Sequence, residues 1–148
     1  MSTSLSRVHL RVRGYHLDGY GHVNNARYLE FMEEGRWDYF DQHPEMIKEL
    51  HQAGRAFVVV NLNIDYLAAA VHGDDLEIMT GIIDIGERSG VCHHLIVRKD
   101  GTVIARADLT FVLLDTATYN LYSTNLNSQS LQSRYEHVSQ CSKNPIRN

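Results

Sequence analysis

Beyond residue 54 the chain presents four stretches of strand-like sequence whose links are too short to be anything but turns, and this spacing constrains the fold most. The stretches are Phe57 to Tyr66, Leu76 to Ile85, Val91 to Arg98 and Val103 to Leu114, rich in β-branched and aromatic residues. Between them lie Gly73-Asp74-Asp75, a loop from Gly86 to Gly90, and Asp100-Gly101, a strong hairpin signal. Parallel neighbours would need a crossover of about a dozen residues or more, so consecutive stretches pair antiparallel. Leu62, Ile64 and Tyr66 alternate with Asn61, Asn63 and Asp65, while Ala105, Ala107, Leu109, Phe111 and Leu113 share one side of the last stretch. A sheet with one apolar face needs cover.

The N-terminal part supplies that cover. Val8, Leu10 and Val12 alternate with Arg7, His9, Arg11 and Arg13, which describes a half-buried strand with a basic face, ended by Gly14. After a loop marked by Gly19, Gly21 and Asn24-Asn25, the proline-free segment from Ala26 to Phe40 predicts a long helix mostly wrapped by protein. Its apolar stripe takes in Tyr28, Leu29, Phe31, Met32, Trp37, Tyr39 and Phe40, and its polarity comes from Glu30, Glu33, Glu34 and Asp38. Pro44 can open a second, shorter helix running to Ala53, and Gly54 stops it because glycine tolerates the left-handed conformation. Only the long helix is large enough to cover the sheet, so the expected architecture is α+β, a five-stranded antiparallel sheet curled around one helix.

At 148 residues the chain suits one domain, expected over residues 1–138. After Asp115 the composition turns to Asn, Ser and Gln, with a weak helical signal from Leu126 to Val138 and an expected disordered tail over 139–148. A net charge of -4 offers no basic footprint for nucleic acid, and no apolar run approaches the length of a membrane helix. Cys92 and Cys141 lie far apart in a chain with no recognisable secretory signal, so a cytoplasmic protein without a disulfide framework is expected.

Chemistry concentrates between Tyr15 and Tyr28, in the run Tyr15-His16-Leu17-Asp18-Gly19-Tyr20-Gly21-His22-Val23-Asn24-Asn25-Ala26-Arg27-Tyr28. Read as structure alone, Asp18 is a turn residue, the glycines relieve the loop and Asn24 caps the helix. Read as function, the first helical turn presents unpaired amides and about half a positive charge, able to stabilise an oxyanion on a carbonyl. An ionised Asp18 held nearby could attack that carbonyl or deprotonate a water that does. A thioester suits so weak a base, because thiolate leaves readily.

The pattern Asp18-x-x-Gly21-His22-Val23-Asn24-Asn25-x-x-Tyr28 resembles the signature of hotdog-fold acyl-CoA thioesterases of the 4-hydroxybenzoyl-CoA thioesterase type. Leu29-Glu30-Phe31-Met32-Glu33-Glu34-Gly35-Arg36-Trp37-Asp38 and Phe57-Val58-Val59-Val60-Asn61-Leu62-Asn63-Ile64 are similar to its bacterial long-chain acyl-CoA thioesterase III branch. The resemblance spans about residues 8–115. It implies hydrolysis of a fatty acyl-CoA to free acid and coenzyme A without a metal or cofactor, in homodimers or homotetramers that join their sheets. The site would lie at the dimer interface, with Asp18 as catalytic base or nucleophile, amides near Asn24 and Asn25 polarising the carbonyl, and Gly21, His22, Val23 and Tyr28 around the substrate. Arg88 would meet a coenzyme A phosphate, and Ser89 or the backbone at Gly90 the pantetheine. Relatives commonly carry basic residues and a proline between positions 66 and 71; here Leu67-Ala68-Ala69-Ala70 makes that wall apolar.

Other readings stay open at this stage: an aromatic acyl-CoA or acyl carrier protein substrate, a non-catalytic acyl-CoA-binding oligomer, or a dehydratase with a histidine–carboxylate pair. His93 and His94, adjacent on a strand, point to opposite faces and cannot converge on one metal ion. Cys92 reads as a buried thiol.

Overall fold

The computed structural model describes residues 5–86 and 88–120, so the weak C-terminal helix and the tail lie outside the described residues. In chain order the elements are β1 (Ser6–Arg11), α1 (Asn25–Asp41), α2 (Pro44–Gln52), β2 (Arg55–Tyr66), β3 (Asp75–Ile85), β4 (Ser89–Arg98) and β5 (Val103–Asp115). A single 3-10 turn, Gly14–His16, which the sequence reading did not foresee, follows β1. The five strands form one antiparallel sheet in the order β1-β3-β4-β5-β2. β3, β4 and β5 pair through the short turns, whereas α1 and α2 carry the chain from one edge, β1, to the other, β2.

Alternation sets which side of the sheet meets α1. Leu76, Ile78, Thr80 and Ile82 of β3 face inward with Cys92, His94 and Ile96 of β4 and Ala105, Ala107, Leu109 and Phe111 of β5. Against them α1 buries Tyr28, Phe31, Met32, Gly35 and Tyr39. Each fully buried Leu, Ile, Phe or Met side chain is worth about 1.5–3 kcal/mol, so this face fixes where the helix lies. Gly35 allows the closest approach, since a Cβ there would overlap the Thr80 hydroxyl and sit 3.0 Å from Ile78 Cγ2.

Three expectations change. Trp37 is 60% exposed and Leu29 38% exposed, so part of the apolar stripe is not covered by the chain's own sheet. The basic face of β1, expected to be solvated or to contact a second subunit, carries a ladder of ion pairs within the chain: Arg7 meets Glu77 at 3.0 Å and Arg11 meets Asp75 at 2.7 Å on β3. Ser89 and Gly90 belong to β4, not to a loop, and Gly90 is buried under the Phe111 ring, which leaves no room for a side chain there.

His93 and His94 do lie on opposite faces. His93 Nδ1 pairs with Asp108 Oδ1 at 2.6 Å on the face away from α1. His94 sits under α1, where Arg36 Nη1 donates to Nε2 (3.2 Å), leaving Nδ1–H to donate to Thr80 Oγ1 (3.0 Å). Burial, with the Arg36 charge adding to it, pushes the His94 pKa down to about 3.

This neutral histidine makes stability depend on pH. The unfolded chain protonates His94 near its ordinary value, the folded chain does not until about pH 3, so protons favour the unfolded state between the two. From pH 7 to pH 4 the stability should fall by up to about 1.4 kcal/mol per pH unit below the ordinary value, and His94→Gln should flatten that slope. Urea unfolding across the range measures both; equal slopes would rule His94 out.

Candidate active site

The loop from His16 to Asn24 folds into a tight antiparallel finger before α1 begins. Asn24 N–H donates to the His16 carbonyl (2.9 Å), Leu17 bridges Val23, and Asp18 N–H donates to the His22 carbonyl (2.8 Å). Gly21 sits at the tip with φ +77°, a conformation open to glycine and costly for a residue with a Cβ. His16 is the buried anchor of the finger and was not singled out from sequence. Its Nδ1 accepts from Arg13 N–H (2.9 Å) and its ring packs edge-on against Phe31 at 5.0 Å. Burial, then the nearby Arg27 charge, lowers the His16 pKa, so the ring stays neutral with its proton on Nε2.

A second segment braces the finger. Val23 N–H donates to the Ala70 carbonyl (2.9 Å), His22 bridges Val71, and Ala70 N–H donates to the Tyr28 hydroxyl (3.3 Å). Tyr28, 4% exposed, therefore ties the helix to residues 67–71 through its hydroxyl. Burial raises the Tyr28 pKa, so that hydroxyl stays protonated. Tyr66 closes the corner by donating to the Asn25 carbonyl (3.0 Å).

Within this frame one carboxylate oxygen and one amide remain unused. Asp18 Oδ1 accepts from Tyr20 N–H (2.8 Å) and His22 N–H (3.3 Å), which fixes the carboxylate, while Oδ2 accepts no hydrogen bond among the described residues. At the helix mouth Ala26 N–H is taken by Asn24 Oδ1 (2.9 Å) and Arg27 N–H by the Asn24 carbonyl (2.9 Å). That leaves Asn25 N–H, on the positive end of α1, without an acceptor among the described residues. About two residues of extended chain, roughly 7 Å, separate Asp18 from the level of the cap. His22 contributes its backbone to Asp18, and its exposed ring makes no hydrogen bond among the described residues.

The surroundings are open and apolar: Tyr20 at the finger is 89% exposed, and so to a lesser degree are Tyr66, Leu67 and Val71 of the bracing segment. Arg88, Ser89 and Gly90 are not here. They lie where β4 begins, and the β4–β5–β2 register puts Ser89 and Gly90 level with Val58 and Val59, in the half of β2 away from Tyr66. One chain thus holds the two predicted halves of the site at opposite ends of its sheet. Cys92 is no alternative nucleophile, because burial pushes its thiol up to about 12. Among the described residues no group of three metal-binding side chains converges, and no helix is long and apolar enough to cross a membrane.

A five-stranded antiparallel sheet in this order, wrapped on one long helix, is the hotdog fold. The chain belongs to the thioesterase-like superfamily, whose model matches residues 12–134. It is 43% identical over 113 residues to the long-chain acyl-CoA thioesterase FadM of Escherichia coli K12, covering 76% of this chain and 85% of that one. It is 32% identical over 115 residues to the acyl-CoA thioester hydrolase YbgC of E. coli O6:H1, covering 78% and 86%. The crystal structure of YbaW, a probable thioesterase from E. coli, superposes with a TM-score of 0.74 at 39% identity, over 88% of this chain and 96% of that one.

The cap is the joint between finger and helix. Asn24→Ala should lower stability by about 1 kcal/mol, and Asn24→Asp should restore most of it, as read from urea midpoints.

Proposed function

We propose that this protein hydrolyses long-chain fatty acyl-CoA to free fatty acid and coenzyme A, acting in the cytoplasm as a homodimer or as a homotetramer built from that dimer. The observation that carries the reading is the pair left over at the finger: a fixed carboxylate with a free oxygen, and a helix-start amide with no acceptor. The thioester carbonyl oxygen takes the Asn25 N–H, where charge developing in the transition state meets the helix dipole. Asp18 Oδ2 either deprotonates the water that attacks the carbonyl carbon or attacks that carbon itself, giving on loss of thiolate an acyl–aspartyl anhydride that water then hydrolyses to free acid and carboxylate. Thiolate departs without strong acid assistance, so no further titratable group is required. The substrate class is supported by the named activity of the E. coli relative and by the apolar wall around Leu67.

The dimer follows from the two sheet edges. β1 is short and carries Arg7 and Arg11 in ion pairs, the usual way of blunting an edge. β2 is twelve residues long, and between Arg55 and Asp65 it has no charge at all. Val59 and Val60 on it are 51% and 44% exposed. Antiparallel pairing of two β2 strands about a twofold axis near their middle continues the sheet and sets Tyr66 of one copy beside Arg55 of the other. That arrangement carries Arg88, Ser89 and Gly90 of one copy toward the finger of its mate, where Arg88 can meet a coenzyme A phosphate.

Two outcomes test this. With a series of acyl-CoA substrates and thiol detection, wild-type protein should release coenzyme A, best from long chains, and Asp18→Asn should cut kcat at least about a hundredfold while leaving KM nearly unchanged. Equal turnover by the variant removes Asp18 from the mechanism. Val60→Lys should give monomers by sedimentation and lose activity along with the dimer; an active monomer would contradict a shared site.

A further inference from the structure

Helix α2 does not finish the core beneath it. Its sequence is amphipathic, yet none of its residues is buried. Between its inner side (Met46, Leu50) and a floor formed by Phe57 of β2 with Phe111 and Leu113 of β5 lies a hollow of about 300 Å³. That is the lower end of the size range of small-molecule pockets. Its walls are aliphatic and aromatic, while Glu49, Arg55 and Ser89 are its polar lining residues. The floor is closely packed: Gly90 lets the Phe111 ring approach the β4 backbone, and Phe57 packs edge-on against Phe111 at 4.5 Å. An apolar hollow with ordered aromatic walls fits a flexible hydrocarbon, and it does not fit pantetheine, whose amides would find few partners there.

We infer that this hollow receives the distal part of the fatty acyl chain of a substrate whose thioester lies at the finger of the other copy. The inference rests on the proposed dimer. A twofold axis perpendicular to the sheet keeps the inner face inward, so the hollow, on the inner side at the Arg55 end of β2, comes beside the mate's Tyr66 and the Asn25 it touches. The substrate then divides at its thioester: the acyl chain runs inward beneath α2, and coenzyme A runs outward past exposed Arg88. Chain-length preference is thereby set by residues at the far end of the chain's own sheet from its own Asp18.

Two full-length variants test it, Leu50→Trp, which fills the hollow, and Leu50→Gln, which keeps its volume and makes the wall polar. The readout is the ratio of kcat/KM for hexadecanoyl-CoA to that for hexanoyl-CoA, with circular dichroism to confirm folding. The ratio should fall about tenfold or more in the tryptophan variant and severalfold in the glutamine variant, the scale of a few methylenes denied burial. An unchanged ratio in both, or equal losses on the two substrates, overturns the assignment. The non-hydrolysable thioethers hexadecyl-CoA and hexyl-CoA, titrated by calorimetry, separate this from the thioesterase reading. If wild-type protein cleaves no acyl-CoA, that reading fails, yet a hexadecyl-CoA affinity advantage that shrinks in the variants still places the chain beneath α2. An advantage that does not shrink, or none in wild type, removes it.

Discussion

The hydrogen bond from Asn24 N–H to the His16 carbonyl is the hinge on which the site depends, because it joins a loop with no core of its own to a helix that cannot move. α1 is locked by Met32, Phe31 and Gly35 against β3 and β4, and its first turn inherits that rigidity. The finger takes its position from the helix start through Asn24, from the core through His16 on Phe31, and from residues 67–71 through Val23. Backbone amides then fix one oxygen of Asp18. The groups that hold the carboxylate are main-chain, which explains how so small and exposed a loop can be preorganised: the amides that grip Asp18 lie only two and four residues along the chain.

The two edges of the sheet divide the surface into a guarded side and an open one. Arg7, Arg11 and their partners spend the polar groups of β1 locally, while β2 offers an uncharged middle on which Val59 and Val60 are exposed. An edge strand of that length and composition is a template for pairing. In the proposed dimer the finger at one end of β2 and the hollow at the other become neighbours because two strands run antiparallel, so that association and assembly of the proposed site are one step.

Most elements could be read directly from the residues, because their causes are local. Period-two alternation located β2 to β5 within one or two residues, Asn24 and Pro44 marked the helix starts, and Gly54, at φ +65°, marked a stop. What periodicity could not supply was partnership. A stripe containing Trp37 has the same pattern whether its cover is the chain's own sheet or another molecule. The placement of β1 beside β3 depends on a crossover no local signal encodes. Within the motif, sequence placed Asp18 and the cap correctly on one loop, but the commitment of Tyr28 to Ala70 and the anchoring by His16 are contacts across the chain. Arg88 was named for the fit of its guanidinium to phosphate, and within a single chain the start of β4 beside it lies far along the sheet from the finger.

The polar groups sealed under α1 sharpen the contrast between holding a fold and doing chemistry. His94 and Arg36 are titratable, close together and buried or half-buried, features that often mark a reactive centre. Yet every donor the imidazole offers is spent on Thr80 and every lone pair on Arg36, and the desolvation that makes His94 too weak a base also lowers the Arg36 pKa. Asp18 stands at the opposite extreme, at the surface and half satisfied. For thioester cleavage the useful group is the one with an oxygen left over and room beside it for a carbonyl. Saturation of hydrogen bonds, more than perturbation of pKa, therefore separates the structural histidine from the carboxylate proposed to react.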